Sequence, residues 1–158
     1  MAPRPSEDER AVETPEEVRL RANATLRNPS DVNELTLASG ERSANLPIPP
    51  KSSGFGSSPS GGDLLRLAPA ACATNDIYRE AGRLGIAVSA VEVEASAQFP
   101  VEGHPARAIE HTVRLTARAP KVKTLAVAAR THWLAEIQGT VRQAIPVTPG
   151  RVEAVPTA

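Results

Sequence analysis

Residues 58–99 read SPSGGDLLRLAPAACATNDIYREAGRLGIAVSAVEVEASAQF, and one hydrophobic period gives way to another along them. From Gly62 to Leu84 the pattern is helical. Ala70, Ala73, Ile77, Ala81 and Leu84 recur at i, i+3, i+4 spacing and make one apolar stripe. Ser60, with Asp63 three residues on, can act as an N-cap pair, and Gly85 is placed as the C-terminal stop. Val91, Val93, Ala95, Ala97 and Phe99 then interleave with Glu92, Glu94, Ser96 and Gln98, the period of two of a strand with one face covered. A helix feeding a long alternating strand fixes the middle of an α+β domain.

The same period recurs on both sides. Ile109, His111, Val113, Leu115 and Ala117 alternate with Glu110, Thr112, Arg114, Thr116 and Arg118, and the Gly103- and Pro105-bearing link from Pro100 to Arg107 makes the two strands a hairpin. Outward Glu and Arg can pair across it for at most about 1 kcal/mol each. Upstream, Val18, Leu20, Ala22, Ala24 and Leu26 alternate with polar residues and predict a half-buried strand. Asn28-Pro29-Ser30-Asp31 then supplies a turn, and shorter strands are expected at Glu34–Ala38 and near Arg42–Leu46. After Pro120, the positions Val122, Leu125, Ala126, Ala129 and Trp133 predict a second helix. Gly139 should break it, and Ala144–Val147 should add a last short strand. The domain is expected over 16–150, with tails at 1–15 and 151–158. The first of these is charged, proline-bearing and without periodicity.

Composition narrows the function classes. Among 158 residues, 18 basic side chains balance 18 acidic ones with no basic block, so neither nucleic acid nor an anionic membrane is an expected partner. No apolar run approaches the roughly 20 residues that span a bilayer. The start of the sequence lacks the apolar segment of a secretory signal, and one cysteine makes no internal disulfide, so a cytoplasmic protein is expected. The Asn23-Ala24-Thr25 sequon is then a chance match. Phe55, Tyr78, Phe99 and Trp133 are the only large aromatics, so the core must come from aliphatic side chains. A payload that small leans toward a partner subunit. Residues 47–62, with four prolines, four glycines and five serines in sixteen positions, form a long loop leading straight into the helix.

Cys72 is the chain's one thiol. Pro69 cannot donate to Leu65 and should kink or restart the helix there. If the helix restarts, Cys72 falls in the first turn, where free N–H groups favour a thiolate. Cys72 lies about 140° around the helix from Ile77. Its own face carries Asn75, Asp76 and Arg79, of which Arg79 favours a thiolate and Asp76 opposes it. The other reading is a small, inert cysteine packed among alanines.

The order and spacing of Leu64-Leu65, Ala70-Ala71-Cys72, Leu84-Gly85-Ile86 and Val91-Glu92-Val93-Glu94 resemble the OsmC/Ohr family over roughly residues 18–148. The resemblance implies an intertwined homodimer with antiparallel sheets wrapped around long central helices, and a thiol-dependent peroxidase acting on organic hydroperoxides. In such proteins the helix cysteine attacks the O–O bond and becomes a sulfenic acid captured by a second cysteine. An arginine and a glutamate from the loop before the helix hold the thiolate. Cys72 matches the peroxidatic position. Ala135 stands at the resolving cysteine and Gly62 at the glutamate, with Asp63 the nearest carboxylate. Lys51 is the cation near the arginine's place, although lysine lacks the bidentate fork. His132, Trp133 and Glu136 fall in the segment that faces the cysteine in the family. The candidate site is therefore Cys72, Lys51, Asp63, His132 and Glu136, with no cofactor implied. His104, His111 and His132 are far apart in sequence and give no metal-ligand spacing. Two functions follow as expectations. One is hydroperoxide reduction through Cys72 with an external thiol reductant. The other is a dimeric binder of an apolar small molecule that has lost the redox chemistry.

Overall fold

The structure is a computed structural model, and it describes residues 22–28, 33–52, 56–144 and 147. In chain order they form β1 (Ala22–Arg27), β2 (Glu34–Ser39), β3 (Arg42–Asn45), α1 (Gly61–Arg83), β4 (Ala87–Gln98), β5 (Ala108–Arg118), α2 (Lys121–Leu134) and α3 (Glu136–Arg142). β1, β2 and β3 make one antiparallel meander, and β4 pairs with β5 in a second antiparallel sheet. The class is α+β, as the alternation of periods requires. Positions 18–21 of the expected first strand and both tails lie outside the described residues.

α1 is delimited by its own ends. Ser60 Oγ accepts from the Asp63 amide while the Asp63 carboxylate accepts from the Ser60 amide at 2.8 Å, closing a capping box. At the other end Gly85 takes φ +65°, a conformation that costs glycine no Cβ clash. The Ile86 amide then reaches Ala81 O at 2.8 Å and the Gly85 amide reaches Gly82 O at 3.1 Å, a Schellman closure. Between these ends the helix runs unbroken through Pro69. Of the two outcomes expected at Pro69, a kink or a restart, the restart does not occur, so Cys72 sits in the middle of a 23-residue helix and not in a first turn. One lost backbone bond at Pro69 is tolerated because both helix ends are well closed. The buried face of α1 also packs against β4 and α2.

The β4–β5 hairpin shows the alternation that the sequence predicts, with one refinement. Val88 and Val91 are both turned inward although three residues apart, and a register shift between Val88 and Ala90 inserts the extra residue that makes this possible. Glu92 pairs with Arg114 at 3.4 Å on the outer face, both largely exposed. Ile77 and Ala81 of α1, Ile86 just before β4, and Val127 of α2 form the buried centre, with Val91, Val93, Val113 and Leu115 packed on it.

Two expectations about faces fail. Val122 (73% exposed) and Leu125 (59%) point outward from α2, whereas Val127 (0%) and Thr131 (2%) turn inward. Alanine-rich helices carry two adjacent stripes of similar polarity, and packing on α1 selects the second. The meander also forms as expected, but β1 and β3 are exposed along their whole length, with nothing among the described residues covering their apolar side. Gly139 lies inside α3 and does not end the helical run. Ala144 sits in a turn with φ +48°, so the expected last strand does not begin there; Ile145 and Pro146 lie outside the described residues. Among the described residues no helix is long and apolar enough to cross a membrane.

Candidate functional site

Cys72 is half-buried on α1, where α3 comes up against it. Its thiol lies 3.6 Å from Asp76 Oδ2, one helical turn on, in the geometry of an S–H donating to a carboxylate. Asp76 is 4% exposed and its other oxygen accepts from Arg79 at 2.7 Å. The backbone N–H groups of Ile137 and Glu136, at the start of α3, are within hydrogen-bonding reach of the sulfur. Burial pushes the thiol pKa up. The Ile137 amide works against that shift, the Asp76 charge adds to it, and the Glu136 amide opposes it again. At neutral pH the resting group is therefore a thiol hydrogen-bonded to a carboxylate, not a preformed thiolate.

The other predicted residues divide. Glu136 contributes its amide to the thiol, while its side chain is exposed. Asp63 is committed to the α1 cap: it accepts from the Ser60 amide and hydroxyl and pairs with Arg66, all of which hold its carboxyl below the ordinary value. It stands nine residues before Cys72 on the same helix, about 13 Å along the axis. Lys51 lies in the loop before α1, its amide bonded to Gly56 O and its side chain running beside Gly56. Ala135, where the resemblance expects a second cysteine, is 1% exposed and leads directly into the amides that face the thiol. At Gly62, where it expects a glutamate, a Cβ would meet the Phe99 ring at 3.3 Å, so a side chain there needs the ring to give by a small fraction of an ångström.

His132 belongs to a neighbouring cluster. Its Nδ1 lies 3.4 Å from Nε2 of His111, and its ring packs edge-on against Trp133. Arg142 Nη2 sits 3.1 Å from His132 Nε2 and donates to His132 O at 2.9 Å. The two histidines were expected to be scattered. They meet because His111 occupies an inward position of β5, and its place among aliphatic alternates was the signal available in the sequence. Burial first, and the Arg142 charge second, push both histidine pKa values below the ordinary 6.5. The unfolded chain thus takes up protons before the folded one as pH falls through about 6.5. Stability should be fully present above that pH and decline below it. A thermal-unfolding series from pH 8 to 5 checks this, and His111→Gln should flatten the decline.

A pocket of about 100 Å³ opens at this cluster, lined by Ile109, His111, His132, Gln138 and Arg142, and reaches Pro69 one turn before Cys72. Gln138 is 7% exposed and donates through Nε2 to Pro69 O at 3.0 Å, which ties α3 to α1 beside the thiol. Among the described residues no three metal-ligating side chains converge.

No protein-family model matches the sequence, and no curated protein sequence matches it. Solved structures do. The chain is similar to an OsmC-like protein from Mycoplasma pneumoniae, with TM-score 0.58 and 16% identity over 79% of this chain and 89% of that one. It is also similar to an OsmC-like protein of unknown function from Vibrio cholerae, with TM-score 0.50 and 10% identity over 77% and 92%. At these identities the likeness speaks for architecture, and the chain has the fold of the OsmC-like proteins.

Proposed function

We propose that the protein reduces organic hydroperoxides through Cys72, with an external low-molecular-weight thiol or dithiol completing the cycle. One observation carries the reading: the thiol donates to a buried carboxylate that can take its proton, and two backbone amides in reach can bear the negative charge of the sulfur. The sulfur attacks one peroxide oxygen, so that an S–O bond forms and the O–O bond breaks. The thiol proton passes to Asp76 and from there to the departing alkoxide, leaving an alcohol and a Cys72 sulfenic acid. A first external thiol displaces water to give a mixed disulfide, and a second releases Cys72. Lys51, Asp63 and the His132 ring take no part in these steps.

The test is anaerobic mixing with cumene hydroperoxide, following Cys72 by intact mass with dimedone trapping and hydrogen peroxide in parallel. Thiol loss should be much faster than for free cysteine and selective for the organic peroxide, and Cys72→Ser should consume none. Loss at the rate of free cysteine would leave the second reading, a dimeric binder of an apolar small molecule. The Phe99 ring over Gly62 and the raised thiol pKa favour that reading.

Both readings take the protein as a homodimer. The uncovered β1–β3 meander and the outward Val122 and Leu125 of α2 support this, since isolated apolar faces of that extent ask for a partner. Sedimentation equilibrium should return twice the chain mass, and Leu125→Glu should shift it toward the monomer.

A further inference from the structure

We propose that the pocket between β5 and α3 is a binding site for a compact carboxylate with a short apolar tail, its charge held by Arg142 and its tail directed inward. The arginines of α1 and α2 (Arg66, Arg79, Arg83 and Arg130) each pair with a carboxylate. Arg142 has none among the described residues. It is instead fixed in place by neutral groups: Nη2 against the His132 ring and carbonyl, and the guanidinium 5.3 Å from the Trp133 ring centre. All of its hydrogen bonds run through Nη2. Nη1 and Nε therefore keep their N–H groups for a ligand, each as a single charge-assisted donor to a carboxylate oxygen. A cation positioned without a counter-ion beside two uncharged histidines is a preorganised anion seat.

The rest of the pocket sets the ligand's size and direction. Pro69, Ile109 and Val141 give it apolar walls. A volume of about 100 Å³ is smaller than the roughly 150 Å³ cavity that accepts benzene, so three or four carbons fill it. Gln138 Oε1 is buried with no hydrogen-bond partner among the described residues. An orphan acceptor repels a second carboxylate oxygen, so the charged end stays at the Arg142 mouth. A seated anion would also cancel the guanidinium charge that now acts on both imidazoles.

The inference is independent of the redox reading and is tested in the Cys72→Ser protein, so its outcome cannot be confused with loss of thiol chemistry. Butyrate, n-butanol and inorganic phosphate are titrated while the ring signals of His111, His132 and the distant His104 are followed by NMR. Butyrate should shift His111 and His132 saturably and leave His104 unmoved. n-Butanol and phosphate should bind more weakly by about tenfold or more, the cost of losing a charge-assisted hydrogen bond or the apolar tail. Arg142→Gln should weaken butyrate to the level of n-butanol, and Arg142→Lys should recover only part of the loss. Equal binding of butyrate and n-butanol to the unmodified pocket, tighter binding of phosphate, or no saturable shift would each overturn the site.

Discussion

Asp76→Asn is expected to move Cys72 in opposite directions toward two electrophiles: faster with iodoacetamide, slower with cumene hydroperoxide. The asparagine removes the negative charge and the acceptor that together favour the protonated thiol. It also takes from the Arg79 guanidinium its shorter carboxylate contact, 2.7 Å to Asp76, and leaves it Glu80 at 3.6 Å. Both changes lower the thiol pKa. Each unit of fall gives tenfold more thiolate, but a thiolate of lower basicity is about threefold less nucleophilic, so alkylation gains only about threefold per unit. Iodoacetamide expels iodide, which needs no proton, and it reports that gain directly. The hydroperoxide expels an alkoxide, which does need one. Without a group to carry the proton from sulfur to oxygen, this rate should fall by about a hundredfold or more, the usual worth of a positioned acid–base group. Stopped-flow rates with both reagents between pH 6 and 9 separate the cases. If both rates rise, Asp76 acts only through its charge and the proton-transfer role is wrong.

That assignment rests on a contact whose partners were visible in the sequence but whose surroundings were not. The i, i+4 spacing of Cys72 and Asp76 places them on one helix face from the sequence alone. Whether the helix restarts at Pro69 could not be read from spacing, since it depends on how firmly the two ends are closed and on what packs along the sides. The capping box at Ser60 and the stop at Gly85 were legible because they are local chemistry. The alternation in β4 and β5 was legible because one face is covered. The bulge at Val88–Ala90 was hidden, as an extra residue in a strand leaves no mark on composition. His111 was hidden in another way: as one polar residue in an apolar alternation, it is interpretable only once β5 has been laid beside α2. The amides of Glu136 and Ile137 have no sequence signature at all, because backbone groups become a site only through tertiary placement.

Tertiary placement also decides the role of Glu80, a charged residue of α1 that the structure buries to 1% exposure. Its carboxylate accepts from Arg83 at 2.8 Å and from Arg130 of α2 at 3.0 Å, so it joins the two helices where Ile77, Ala81 and Val127 meet. The two sides of this pair are unequal, for Glu80 is enclosed whereas the Arg130 side chain is 38% exposed. Removing the arginine leaves an enclosed anion with less compensation, while removing the anion leaves cations that can turn to water. Arg130→Met, which keeps the apolar stem, should therefore cost about 2–3 kcal/mol, below the full 3–5 kcal/mol of a stranded buried charge because Arg83 remains. For a chain of this length that is a fall in Tm of about 4–12 °C. Glu80→Met should cost less than Arg130→Met, and the double variant should cost less than the sum of the two, since the methionine pair restores an apolar contact at the helix crossing. Urea unfolding of the three variants at fixed protein concentration measures all of this. A Glu80→Met cost larger than that of Arg130→Met would mean that the carboxylate is needed for the packing of α1 itself, and that the pair is not what joins the helices.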